Sequence, residues 1–203
     1  GEILAGDAAA CARVGHLSCV PLPGGDAAIR HPWRTALSHL RAAYGVELPD
    51  LPFLADKDTQ PVLQMIDRGL NAPPTSSCGR LFDAVAALTG GWDEARYEAQ
   101  AAIELTALTT AAAVEAARPY AWEVVERDGG LLLPCAPIVR GVVADVLAGA
   151  DAAAVGARFH RTLLDLLVEA SRRAARLTGL RTVALGGGSF QNELLAGLLP
   201  PRL

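Results

Sequence analysis

With 203 residues, 51% of them hydrophobic and 20% charged, the chain is long enough for one sizeable domain or two small lobes and too apolar for a disordered segment. Aromatic residues reach only 5%, and Ala and Leu supply most of the apolar content, which favours helices over a β-sandwich. The formal net charge is −4 with acids and bases mixed along the chain, which argues against a nucleic-acid partner, and no charge-free apolar run approaches the ~20 residues of a membrane span. The nearest basic cluster, Arg172, Arg173 and Arg176, reads as a solvated helix face. The first residues, Gly1 to Asp7, lack the basic region of a secretory leader, so a cytoplasmic location is expected.

In chain order, residues 1–31 are rich in Gly, Ala and Pro and read as irregular structure with room for a short strand or helix. Pro32 suits the first turn of a helix running to Tyr44 and stopped by Gly45, with Trp33, Leu37, Leu40 and Tyr44 on one face and His39 off it. Beyond a proline-punctuated loop, a second helix is expected with Thr59 as its cap, Pro61 in its first turn and Gly69 near its end. Asn71-Ala72-Pro73-Pro74 breaks it, and Thr75-Ser76-Ser77 offers caps for a third helix through Leu88. Residues 95–117 predict one long alanine-rich helix, closed by Arg118-Pro119. Two apolar runs around Asp128-Gly129-Gly130 carry a hairpin signature. Pro137 opens a helix up to Gly149, and Asp151 caps another over roughly 152–178, with Val155, Phe159, Leu163, Leu166, Leu167 and Ala170 as its buried stripe. Residues 181–185 read as a short buried strand entering Gly186-Gly187-Gly188-Ser189, after which a helix begins around Phe190.

Three segments offer chemistry. A strand, a triple-glycine turn and a helix present main-chain N–H groups at a positive helix end, which describes a phosphate site; the same residues equally describe a tight turn needing positive φ. Neither a P-loop nor a GxGxxG fingerprint is present. Gly79 is out of place in a helix interior, where it costs ~1 kcal/mol relative to Ala, and Asp83 follows one turn later on the same face. Either a ligand approaches there and Asp83 accepts from ribose hydroxyls, or a packing glycine stands beside a solvated Asp. Glu98, Gln100 and Glu104 bring polar groups to another helix start, as the helix dipole alone would favour. The cysteines at 11, 19, 78 and 135 form no CxxC pair and are expected as buried or partly buried free thiols. The histidines at 16, 31, 39 and 160 form no HxxxH or HExxH, so this chain alone is not expected to bind a metal.

Gly25-Asp26-Ala27-Ala28-Ile29-Arg30 with Pro32-Trp33-Arg34, Thr75-Ser76-Ser77 through Gly79-Arg80-Leu81-Phe82-Asp83-Ala84-Val85-Ala86, the stretch from Tyr97 to Glu104, Phe159-His160, and Gly186-Gly187-Gly188-Ser189-Phe190-Gln191-Asn192 carry a family likeness. In sequence and order they closely resemble the C-terminal domain of the hydrogenase maturation carbamoyltransferases (HypF), across nearly the whole chain. That domain is related to the tRNA threonylcarbamoyl transferases. The resemblance implies a helix-rich α/β fold, part of a two-lobed actin-like ATPase (ribonuclease H-like) architecture with nucleotide in its cleft. Residues 1–203 would form one nucleotide-binding carbamoyltransferase domain, truncated at both ends, with a helical insertion region at about 32–117.

By the same resemblance, Gly79 and Asp83 line the ribose side, Gly186, Gly187 and Gly188 approach the phosphates, and Asn192 holds the nucleoside. Glu98 lies where relatives contact nucleotide, beside Ala99 in place of an expected glycine. No catalytic residue is implied within the chain. The family's ligands are ATP and carbamoyl-adenylate; its divalent metal, zinc or iron, takes a His-x-x-x-His pair and an Asp that lie outside this sequence. The implied reaction passes the carbamoyl group from carbamoyl-adenylate to the C-terminal cysteine of a HypE-like partner, as a source of the hydrogenase cyanide ligand, with the enzyme's remaining domains as further partners and neither nucleic acid nor membrane involved. Alternatives are carbamoyl transfer to a small-molecule hydroxyl, a non-catalytic scaffold of the same fold, or a sugar kinase of the superfamily, for which no carboxylate base beside a sugar pocket is evident.

Overall fold

The chain starts with two strands. β1 (Glu2–Gly6) pairs antiparallel with β2 (Cys11–Leu17), the register shifting between Ile3 and Leu4. Residues 1–31 are therefore more regular than expected: their Gly and Ala have little strand preference of their own, and long-range pairing supplies what local propensity does not. β2 also lies parallel to a distant strand, β6 (Gly130–Leu133), which β5 (Val125–Arg127) flanks antiparallel. The expected hairpin is thus present, turning through Asp128 and Gly129 at φ 52° and 77°, the paired positive angles of a tight hairpin turn. Leu17, Leu131 and Leu133 bury one face of this sheet, whose strand order is β1-β2-β6-β5. The computed structural model describes every residue except Ala8 and Asp93.

A two-residue ladder between β3 (Val20–Pro21) and β4 (Pro74–Thr75) brackets α1 (Asp26–Arg30), α2 (Pro32–Tyr44) and α3 (Thr59–Arg68). α2 has the predicted bounds, with Gly45 at φ 71° ending it. His39 corrects the expectation: it is buried, and burial pushes its imidazole pKa down to about 4. α3 begins one residue earlier than expected, with Asp58 at the cap position. α4 (Cys78–Leu88) starts at Ser77, whose hydroxyl accepts the Arg80 N–H at 3.3 Å.

The single helix expected over 95–117 is two. α5 (Gln100–Ala107) and α6 (Ala111–Ala116) are separated at Thr110, whose extended backbone lets its hydroxyl accept from Ala113 N–H. The break lets Leu105 and Val114 both reach the core. α7 (Ala136–Leu147) and α8 (Ala152–Thr178) match expectation, the latter capped by Asp151 and ended by Gly179 at φ 74°. Residues 181–185 are another correction: they form no strand and are mostly exposed, because no strand among the described residues lies alongside to pair with their main chain. A short 3₁₀ turn, Gly188–Gln191, leads into α9 (Glu193–Leu198).

One apolar core joins Leu40 of α2, Leu81 and Val85 of α4, Leu105 of α5, Val114 of α6, Ile138 of α7, Phe159 of α8 and Leu195 of α9. The helices of 32–117 share this core with α7 and α8, while Leu37, Val62 and Ile66 seat α3 on α2. The mixed, helix-rich α/β class is as expected. Among the described residues no helix is long and apolar enough to cross a membrane.

Candidate functional site

Three helix starts face a single groove of about 740 Å³. Ser77, Gly79, Arg80 and Phe82 come from the first turns of α4; Glu98 and Ala99 precede α5, which adds Ala102, Ile103, Thr106 and Ala107; Gly188, Ser189, Gln191, Asn192 and Glu193 close the third side. The volume falls within the range of small-molecule sites. The helix starts and Arg80 bring positive charge to the groove, and Glu98 and Glu193 bring negative charge to its rims.

Sequence reasoning named seven site residues. Gly79, Glu98, Gly188 and Asn192 meet in this groove, while Gly186 and Gly187 lead into it. There is no atom within 4 Å of where a Cβ would sit on Gly186, Gly187 or Gly188, so this turn turns open main chain outward; Gly187 alone needs positive φ, at 87°. A Cβ on Gly79 would meet only Ser77 Oγ, at 3.6 Å. No neighbouring helix therefore demands that glycine, and the space beside it belongs to the groove.

Asp83 departs from both readings of it. It is 3% exposed, not solvated, and it does not line the groove. Its Oδ2 lies 2.8 Å from Arg80 Nη1, and burial raises its carboxyl to about 6 against the lowering effect of that guanidinium. Arg80 is the cationic side chain among the groove's lining residues, and Asp83 pairs with it from behind.

Ala99 occupies the left-handed region at φ 59°, which explains why a glycine is expected there. Ala99→Gly is expected to raise unfolding stability by roughly 1 kcal/mol, because a side chain in that conformation costs about 1–2 kcal/mol and glycine does not pay it. A urea titration checks this; an unchanged or lowered midpoint would count against the strain. Glu104 stands off the groove and steadies the loop before α5, accepting from Trp92 Nε1, from Gln100 Nε2 at 2.7 Å and from Tyr97 OH at 3.3 Å.

Thr106 was not named from the sequence, and Arg80, Phe82 and His160, the last behind Asn192, were part of the family likeness without a role in the site. The available signal for His160 was its spacing: it follows Gly156 by one turn inside the buried stripe of α8. The cysteines are free, as expected, but Cys11 and Cys19 are exposed, not buried. Burial raises the Cys135 thiol to about 11 and also raises Cys78. Among the described residues, no three His, Cys, Asp or Glu side chains converge as they would to hold the metal that the resemblance implies.

Comparison with known proteins shows the family. Residues 1–203 match the family described as carbamoyltransferase, Kae1-like domain, second subdomain. The chain is 39% identical to carbamoyltransferase HypF2 of Cupriavidus necator, over 100% of itself and 28% of that protein. It is 38% identical to carbamoyltransferase HypF of Rhizobium leguminosarum bv. viciae, over 97% of itself and 25% of that protein. Full-length HypF crystallised in a phosphate- and nucleotide-bound form superimposes with a TM-score of 0.86 at 34% identity, over 99% of this chain and 26% of that one. The chain thus spans about a quarter of the length of these relatives.

Proposed function

Since the chain belongs to the family of the second subdomain of the Kae1-like carbamoyltransferase domain, we propose that its groove is part of the adenylate site of a carbamoyltransferase. The observation that carries this reading is the meeting of Gly79, Arg80, Gly188 and Asn192 around one groove bounded by helix starts. The nucleotide is ATP or carbamoyl-adenylate. Main-chain amides at 186–188 approach its phosphate, Arg80 adds charge beside them, and Gly79 leaves room for the ribose. Asp83 acts on the site only through the guanidinium it holds.

In the whole enzyme the thiolate of a HypE-like partner's C-terminal cysteine attacks the carbamoyl carbon of the adenylate. The new C–S bond forms as the C–O bond to phosphate breaks, and AMP leaves with the electron pair. Such an acceptor must remain reduced, which fits a cytoplasmic setting. No step is assigned to a metal, for which the described residues offer no ligand set. The product would be the precursor of the hydrogenase cyanide ligand.

Calorimetric titration with AMP, ATP and a non-hydrolysable carbamoyl-adenylate analogue tests the reading. Binding of all three with micromolar to millimolar affinity is expected, the analogue tightest. A folded sample that binds none of them would leave a scaffold role as the better account.

A further inference from the structure

Every polar position of the Asn192 side chain is taken up inside the protein. Oδ1 accepts from the N–H groups of Leu194 and Leu195 at 3.0 and 3.1 Å. Nδ2 donates to Thr106 Oγ1 at 2.8 Å and lies 3.0 Å from His160 Nε2. A carboxamide has two donors and two acceptor sites, so all four are in use. The His160 tautomer follows from its other nitrogen: Nδ1 sits 2.7 Å from the Gly156 carbonyl, which can only accept. Nδ1 therefore carries the hydrogen, and Nε2 offers its lone pair to Asn192. Thr106 Oγ1 donates to the Ala102 carbonyl at 2.7 Å and keeps a lone pair for the same amide. Edge contacts from Phe82 and Phe159, at ring separations of 5.2 and 6.2 Å, fix the plane of the imidazole.

We infer that His160 is a positioning residue of the groove, a neutral imidazole that holds Asn192 together with Thr106 and so fixes the 188–193 wall against α5 and α8. Asn192 then shapes the nucleotide site as a latch and not as a hydrogen-bonding arm. The functional consequence rests on the adenylate reading above; the latch itself does not. Charged groups on the surrounding helices are engaged elsewhere. Arg80 and Asp83 of α4 pair with each other, Arg158 and Arg161 of α8 pair with Asp145 and Asp165, Glu104 of α5 takes the loop before it, and Glu193 of α9 is exposed. Burial keeps the imidazole below its ordinary pKa, so the lone pair persists at neutral pH. Protonation in acid would place an N–H against the Asn192 amide and release the latch.

The test compares two variants of the chain by AMP calorimetry, side-chain amide NMR and ring ¹⁵N shifts, with thermal melting to confirm folding. The parent is expected to show the Nδ1–H tautomer. His160→Phe fills the space without an acceptor; it should move the Asn192 amide resonances towards free-amide positions and weaken AMP about tenfold. His160→Gln, whose carbonyl oxygen can replace Nε2 as acceptor, should recover affinity to within about threefold of the parent. On an Asn192→Ala background, His160→Phe should change nothing further. Unchanged Asn192 resonances in folded His160→Phe, an Nε2–H tautomer, or equal loss in both variants would overturn the proposal. If the parent binds no adenine nucleotide, the groove's function is misread, while the amide resonances still decide the latch.

Discussion

Phe159→Ala is expected to lower unfolding stability by roughly 3–5 kcal/mol, the usual range for emptying a fully buried aromatic site. Phe159 is 0% exposed in the N-terminal third of α8, and its ring meets Phe82 edge-on at 4.8 Å. Such a loss takes a large share of the ~5–15 kcal/mol that holds a domain of this kind together. It also reaches the site, because Phe82 lines the groove and touches the His160 ring. Urea titration at fixed pH gives the number. A shift below about 1 kcal/mol would mean that the cavity collapses freely and that this core is far softer than its packing indicates.

Gly188→Val should do the opposite, leaving the fold alone and damaging the site. A Cβ at 188 meets no protein atom within 4 Å, so the unfolding midpoint should stay where it is. The same methyl groups would stand where phosphate oxygens need to approach the main chain, and AMP affinity should fall at least about tenfold, or ~1.4 kcal/mol. The two readouts together separate a functional glycine from a conformational one. Gly187 offers no such separation, since its φ of 87° makes any side chain there strained. Undiminished AMP binding by Gly188→Val would move the phosphates elsewhere in the groove.

Much of this molecule could be read from local pattern. α8 was legible because Asp151 and a 3.6-residue apolar stripe agree. The hairpin was legible because Asp128-Gly129 tolerates the angles its turn needs. Features settled by distant partners were not. β1 and β2 are poor strands on their own and owe their pairing in part to β6, while residues 181–185 look like a strand but have none beside them among the described residues. The split between α5 and α6 depends on where Leu105 and Val114 must point, which an unbroken run of alanines conceals. In the site, motif and resemblance brought out Gly79, Glu98, Gly188 and Asn192, the groove's small or polar rims. They did not bring out the inward turn of Asp83 or the bond from Asn192 to His160, because a side chain's direction depends on which neighbour has a matching donor or acceptor.

The parallel union of β2 with β6 has a kinetic consequence. It joins residues 15–17 to 131–133, and the Cys135 N–H reaches Ser18 Oγ across 117 positions. Closing so wide a span is entropically unfavourable until something else has drawn its ends together, and contacts of that range slow folding. The intervening helices, α2 and α4 above all, are the natural nucleus. During synthesis the β1–β2 hairpin must wait for residues 130–133 to emerge before its parallel neighbour exists, so the four-stranded sheet closes late.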